Sequence, residues 1–484
     1  MRLGSLDLMR RVLRILFLLA LVSASAPAQT LRPEMSTASA PPVAAAKTTI
    51  PYVDAKPILD ALQASLPAEL KMKTPAELEA AWSDWVSRHN AEIRVRLERG
   101  DEDSIVNLWL HGTSFTKLPP ATESGMAQLG GQSSAPRIVE GRTEDLLAGI
   151  ASPGANERLR FARQVLERQG IDPTTPTGKE RVRLYLFEAR KRALTESQGY
   201  GRALESAMLL NDASAELAAY STIFRNRGLS SDTSLLPDFA IEQALDAMKS
   251  AGQLGAGRVR RVAIVGPGLD FTDKADGYDF YPQQTIQPFS LIDSLTRLGL
   301  ARPGDLRVTT FDLSARVNHH LEAARERAGA GEAYVIHLPL NSDQPWNAGL
   351  VSYWRRFGDR IGEEVKPVRP PRTAGRVRVR AVRVRPAVVA SIAEQDLNIV
   401  LERLAPLAKE EQFDLLIATN IFVYYDLFEQ SLAVANVASM LRPGGLLLSN
   451  NPVFPAARMK SSAGYIKVAY SDRQYDHLFW YERQ

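Results

Sequence analysis

Apolar residues recur at helical spacing from about residue 56 to 253, and one helix start is marked in the chain. Thr74-Pro75-Ala76-Glu77 has the form of a capping box with Pro at the first helical position. Leu78, Trp82, Trp85, Val86 and His89 then fall on one face, which predicts a core stripe for both Trp and the His rather than a ligand site. Leu159, Ala162, Val165 and Leu166 repeat the pattern before Gly170, and Ile241, Leu245 and Met248 repeat it before Gly252. Each Gly stands where a helix C-cap is expected. Residues 51–253 therefore read as an all-helical domain, split by a Gly-, Ser- and Pro-rich loop at 119–137 that is either mobile or the cover of a cleft.

After Gly252 the pattern changes. Gly252, Gly255 and Gly257 form a linker, and the first β-rich run, Val262-Ala263-Ile264-Val265, follows at once. Those glycines precede the strand and no Gly-Lys-Ser/Thr ends them, so a nucleotide P-loop does not fit. Strands then alternate with helices: a strand at 308–311 and a helix near 316–328, a strand at 413–418 and a helix near 429–441, and a strand at 446–449. This alternation predicts an α/β fold over residues 258–484, a doubly wound parallel sheet with helices on both faces. Runs at 465–470 and 477–481 predict a terminal antiparallel hairpin on it.

The N-terminus has a character of its own. Arg10, Arg11 and Arg14 precede an apolar stretch at 15–22 and small residues at 23–28, a succession that reads as a secretory signal peptide cleaved after Ala28. The chain is then expected to be exported or periplasmic; an uncleaved membrane anchor and a cytoplasmic protein starting at Met35 are the alternatives. The apolar stretch is short for a membrane span, and no later segment approaches 18 uninterrupted apolar residues, so no transmembrane helix is expected in the mature chain. Residues 29–50, mostly Ala, Pro, Thr and Ser, are read as a disordered tether.

Composition narrows the chemistry. The 484 residues include no cysteine, which removes disulfides, thiol catalysis and Cys-ligated metal. Residues 1–28 hold four Arg against one Asp, so the formal charge of +4 falls to +1 without them, and no nucleic-acid partner is expected. The six His include one close pair, His319 and His320, whose adjacency on a helix cannot face one ion; no metal site is expected.

In a doubly wound sheet ligands bind beyond the carboxyl ends of the strands. The first such segment is Gly266-Pro267-Gly268-Leu269-Asp270, where glycines let backbone approach a ligand or simply make a turn. The second strand ends in Phe311-Asp312-Leu313-Ser314, placing a carboxylate that can accept from two ribose hydroxyls or cap the next helix. A later strand, Phe413-Asp414-Leu415-Leu416-Ile417-Ala418, leads into Thr419, Asn420 and the run Ile421-Phe422-Val423-Tyr424-Tyr425-Asp426, and the next strand is introduced by Leu441-Arg442-Pro443-Gly444-Gly445.

In this order the segments of residues 259–450 resemble the Rossmann-like methyltransferases that use S-adenosyl-L-methionine, and among them the chemotaxis receptor methyltransferases. Gln287-Pro288-Phe289-Ser290 is similar to that family's Glu-Pro-Tyr-Ser, Asp312-Leu313-Ser314 to its acidic ribose-binding turn, Asp396-Leu397-Asn398 to its segment beside the adenine, and Asn420 to Asp426 to its Arg-Asn-Val-Leu-Ile-Tyr-Phe-Asp. The resemblance implies a cofactor held by Gly266, Gly268, Asp270, Gln287, Asp312, Leu313, Asp396, Leu397 and Asn420. Asn420, which can donate and accept, and Tyr424, with an aromatic face and a hydroxyl, are the candidate catalytic residues. The departures are a long loop between Gly268 and Gln287, a neutral Gln287 for Glu, Thr419 for Arg, and Ile264 where many methyltransferases carry an acid.

Residues 331–385 form a second insertion. Arg376-Val377-Arg378-Val379-Arg380 alternates at period two, which makes a strand with either a solvated Arg face or a surface for an anionic substrate. Tyr353 and Trp354 are placed in the core or in a lid. No Gly-x-Ser-x-Gly elbow is present and no Gly-x-Gly-x-x-Gly helix entry, which disfavours a serine hydrolase and an NAD(P) oxidoreductase. The chain is accordingly expected to be a methyltransferase acting on a small molecule or a protein, with an exported, non-catalytic binding or scaffold protein of the same fold as the alternative.

Overall fold

Thr74 opens the longest helix as its sequence predicts: its hydroxyl accepts the Glu77 N–H, and the Glu77 carboxylate accepts the Thr74 N–H at 2.7 Å. The computed structural model describes residues 46–484 except 122–134, 210–227, 273–277, 341–344, 454–457, 461–462 and 473. The signal-peptide reading of 1–28, most of the tether at 29–50 and the centre of the 119–137 loop lie outside the described residues. The helices in chain order are α1 (Tyr52–Ala61), α2 (Ala68–Lys71), α3 (Pro75–His111), α4 (Ala135–Ala151), α5 (Glu157–Arg168), α6 (Pro176–Leu209), α7 (Leu236–Ser250), α8 (Gln287–Arg297), α9 (Ala315–Gly329), α10 (Ala348–Arg356), α11 (Pro386–Val389) and α12 (Leu427–Met440). The strands are β1 (Lys47–Thr49), β2 (Arg261–Val265), β3 (Arg307–Asp312), β4 (Tyr334–Leu340), β5 (Gly362–Val365), β6 (Arg378–Val384), β7 (Ile392–Asp396), β8 (Glu402–Leu404), β9 (Phe413–Ala418), β10 (Leu441–Ser449), β11 (Gly464–Ala469) and β12 (Tyr475–Glu482).

The central sheet has seven strands in the order β11-β12-β10-β9-β2-β3-β7. Strands β10, β9, β2, β3 and β7 run parallel, and β12 is antiparallel to both β10 and β11. Side chains alternate between faces along each strand. Val262, Ile264, Leu415 and Ile417 join one core with the apolar faces of α7, α8 and α9, while Ala263, Val265, Leu416 and Ala418 join a second with α1, the start of α3, and α12. Helices therefore cover both faces, and the central strands read as continuous apolar runs.

That arrangement corrects the domain boundary. The helical region 51–253 is not a separate domain: α1, the first half of α3, and α7 bury their apolar stripes on the sheet. Trp85 is 2% exposed. It stacks between Trp82 and His89, with ring centroids 5.1 and 4.7 Å away, and meets Phe428 of α12 at 5.7 Å. A third core, formed by the end of α3 with α4, α5 and α6, is mainly helical, and even this one takes in Phe271. All the described residues belong to one compact unit, 42–484. Two loop assignments also change. Residues 47–49 of the expected tether form β1, paired antiparallel with β8 through backbone hydrogen bonds, with Ile50 buried beside it. The 119–137 loop gives way to α4 at Ala135.

The second insertion builds a separate antiparallel sheet, β4-β6-β5. Arg380 on β6 pairs with Asp359 at 2.7 Å and Glu364 at 2.8 Å, and Arg383 with Glu363 at 3.0 Å. Arg380 and Arg383 are thus answered by neighbouring acids rather than left for an anionic substrate. Tyr353 and Trp354 are buried in the core, not in a lid. No helix among the described residues is long and apolar enough to cross a membrane.

Candidate functional site

Strand β2 has β3 on one side and β9 on the other, so the strand order reverses there, and a crevice opens outside the carboxyl ends of the strands at such a point. A cavity of about 270 Å³ lies there. Gly266 and Gly268 border it after β2, Asp312 and Leu313 after β3, Leu397 and Ile399 after β7, and Thr419, Asn420, Ile421, Val423, Tyr424 and Tyr425 after β9. Gln287, at the start of α8, completes that wall. Of the residues singled out in the sequence, Gly266, Gly268, Gln287, Asp312, Leu313, Leu397, Asn420 and Tyr424 are brought together here.

Asp270 and Asp396 are not. Asp270 is buried away from the cavity, accepting from the Tyr281 hydroxyl at 2.6 Å and the Gln284 amide at 3.1 Å; it braces the long loop that follows the turn. Asp396 ends the edge strand β7 and is half exposed. Arg94 of α3, at 2.8 Å, and Lys47, at 3.8 Å, hold its carboxylate in an ion-pair network.

Asp312 is 8% exposed. Burial pushes its carboxyl up to about 6, against the opposing pull of two backbone N–H donors, Ser314 at 2.8 Å and Gly268. Of the two readings offered for it, the helix cap does not hold: the N-cap position of α9 is Ser314, whose side chain makes no capping hydrogen bond. Asp312 instead makes a turn two residues upstream, as Asp side chains do. A carboxylate has about four lone-pair sites, so two backbone donors leave acceptor capacity on the cavity wall.

The catalytic candidates line the same cavity after β9. Asn420 sits in the left-handed region at φ 59°, a conformation Asn tolerates through its short polar side chain. Its N–H donates to Asn450 Oδ1 at 2.7 Å, and its own Oδ1 accepts from Asn450 Nδ2 at 2.7 Å, a reciprocal clasp between the ends of β9 and β10. Tyr424 is half-buried on a short 3-10 turn, and its carbonyl accepts from Arg96 of α3 at 2.7 Å. Gln287 donates to Thr419 Oγ1 at 2.9 Å, while its buried Oε1 has no partner among the described residues.

The sequence reading missed a whole side of the cavity. Leu97 of α3, residues 229–234 and Pro237 line it, all from the helical half. Arg316 of α9 donates to Ser231 and, at 3.2 Å, to Asp232, while Ser104 of α3 donates to the other Asp232 oxygen at 2.8 Å. The Arg316 guanidinium lies 4.2 Å from the ring centre of Phe161 and 4.9 Å from that of Phe271, in cation–π range of both rings, which meet edge to face at 5.3 Å. The available signal was Gly100, a helix-interior glycine. A Cβ there would stand 1.8 Å from the Leu229 carbonyl oxygen, so close approach explains a residue that otherwise weakens the helix.

No protein-family model and no curated protein matches the chain. Among solved structures it is similar to TrmN from Thermus thermophilus, at 13% identity over 54% of this chain and 53% of that one, with a TM-score of 0.25. It is also similar to the mitomycin 7-O-methyltransferase MmcR, at 11% identity over 85% and 100% with a TM-score of 0.25. A third is the glycopeptide N-methyltransferase MtfA complexed with S-adenosyl-L-methionine, at 12% identity over 49% and 76% with a TM-score of 0.20. The chain spans about half the length of TrmN.

Proposed function

We propose that the cavity holds the nucleoside of S-adenosyl-L-methionine and that the protein is a methyltransferase. The observation that carries this reading is Asp312: a buried carboxylate with spare acceptor capacity at the carboxyl end of β3, beside the glycine turn of β2, where the strand order reverses. The donor set fits the nucleoside end. Asp312 would accept from the ribose hydroxyls, the apolar side chains of Leu313, Leu397 and Ile399 would flank the base, and the unpartnered Gln287 oxygen would take a further donor. The sequence resemblance to the chemotaxis receptor methyltransferases supports Leu313 and Leu397 in these roles; it also implies Asp396, whose carboxylate is instead held by Arg94 and Lys47 off the cavity. When bound, S-adenosyl-L-methionine would supply an activated methyl group. Asn420 and Tyr424, lining the same cavity, would orient the acceptor and keep water from it. Calorimetry of the purified protein against adenosylmethionine and adenosylhomocysteine tests the reading. Saturable binding that weakens in Asp312→Ala supports it, and a folded protein that binds neither compound refutes it.

A further inference from the structure

Ligands approach a glycine turn through its backbone N–H groups, which offer fixed positive dipoles to an anionic group. In the turn after β2 every one of these donors is already spent on the protein. Gly266 N–H donates to the Phe311 carbonyl at 2.8 Å, Pro267 has none, and Gly268 N–H goes to the Asp312 carboxylate. Leu269 N–H donates to the Ser231 carbonyl at 2.8 Å, and Asp270 N–H to the Gln284 carbonyl at 2.7 Å. Thr233 N–H returns a bond to the Leu269 carbonyl at 2.9 Å, so residues 229–234 lie on the turn like one rung of a parallel sheet.

Space is taken as well. A Cβ on Gly268 would stand 3.0 Å from the Ser231 carbonyl oxygen, and one on Gly266 would stand 2.3 Å from Ile421 Cδ1. Asp232 of this segment borders the cavity as well, but its carboxylate is buried and held by Arg316 at 3.2 Å and by the Ser104 hydroxyl at 2.8 Å, so it anchors the segment and offers a ligand no free partner. The end of the cavity next to the turn is thus filled and already hydrogen-bonded.

We propose that residues 229–234 form a strap that sets ligand specificity: with the strap on Gly268 the cavity takes a nucleoside with a small uncharged 5′ substituent, and a nucleoside bearing an amino-acid tail binds only by lifting the strap. This rests on the nucleoside reading above. Beyond its bonds to the turn, the strap is held by Arg316 on Ser231 and Asp232, by the Leu229 N–H on the Arg96 carbonyl at 3.0 Å, by close packing at Gly100 and by the Ser104 hydroxyl on Asp232; Gly100 and Ser104 do not line the cavity, so these two fastenings can be altered without substituting a lining residue.

The test is calorimetry of the full chain and of Gly100→Ala and Ser104→Ala with adenosine, 5′-methylthioadenosine and adenosylhomocysteine, together with limited proteolysis within 229–234. The wild-type protein should bind the two uncharged nucleosides about tenfold or more tightly than adenosylhomocysteine. Loosening the strap should raise adenosylhomocysteine affinity about tenfold in Gly100→Ala, and by less in Ser104→Ala, with adenosine affinity nearly constant and cleavage within the strap faster. Ser104→Ala carries the test alone if the Cβ of Gly100→Ala prevents folding. Binding of all three ligands with the same ratio in every folded variant overturns the strap and spares the nucleoside site. No binding of any of them to the folded wild-type protein overturns both.

Discussion

Replacing Asp312 by Asn should make the protein more stable and a poorer binder at once. The carboxyl titrates near 6, about two units above its ordinary value, because burial penalises the charge more than the Ser314 and Gly268 N–H groups favour it. Two units correspond to about 3 kcal/mol. A folded-state value above the unfolded one means that the folded protein holds the proton more tightly. The stability this contributes is complete below the ordinary carboxylate range and is lost as pH rises through about 6. At pH 8 the wild-type protein carries that full cost, and Asp312→Asn, which resembles the protonated form, should unfold at higher denaturant by up to about 3 kcal/mol. At pH 4 the two should converge. Binding should move the other way. Hydroxyl donors to an ionised carboxylate are worth roughly 1.5 to 3 kcal/mol, so nucleoside affinity should fall about tenfold to a hundredfold in the variant. Wild-type affinity should also decline below pH 6 as the proton competes, and the variant should show no such step. Denaturant titrations and calorimetry between pH 4 and 8 measure both arms. A variant that is less stable at pH 8, or that binds as well as wild type, would refute the assignment.

The other expectations concern the two halves and the reacting end. His89 contacts Glu429 at 2.9 Å and Glu92 at 3.0 Å; burial alone would lower its pKa, but the two carboxylates together raise it above the usual imidazole value. The stability from this contact should be complete below about pH 6.5 and lost as pH rises through the raised value, and His89→Gln should remove that step from the unfolding midpoint. With a methyl acceptor in hand, Asn420→Ala and Tyr424→Phe should lower turnover far more than cofactor affinity, and wild-type turnover in both would remove them from the reacting end. Residues 258–484 expressed alone should fail to unfold cooperatively, since the faces of Ala263, Val265 and Leu416 would lose α1 and α3; a sharp two-state transition in that fragment would contradict the shared core.

The difference between what the chain disclosed and what it hid follows from sequence distance. Phe413–Ala418 was legible because a strand covered on both faces is a short uninterrupted apolar run, and α3 was legible because its cap lies within four residues of its start. Strand order was not legible, since the partners of β2 are β3 and β9, and nothing local to β2 names them. The site was readable to the same depth. Gly266, Gly268, Asp312 and Asn420 leave their own strands at the carboxyl edge, so a strand assignment alone placed them. Asp396 also ends a strand, yet its strand is the edge one, and Arg94, 302 residues away, and Lys47, more distant still in sequence, claim its carboxylate. The strap was the hardest part to foresee. It bridges Leu269, Arg316 and Ser104, three points with no common local pattern, and its one trace in the sequence is the glycine at position 100 of a long helix. The strap and the wall formed after β2, β3 and β9 come from different parts of the chain, and the core that holds Trp85 and Phe428 also takes in Leu229 of the strap and Val265, Phe311, Leu397 and Tyr425 of that wall. A substitution at Trp85, which does not itself line the cavity, should therefore change ligand preference as well as stability.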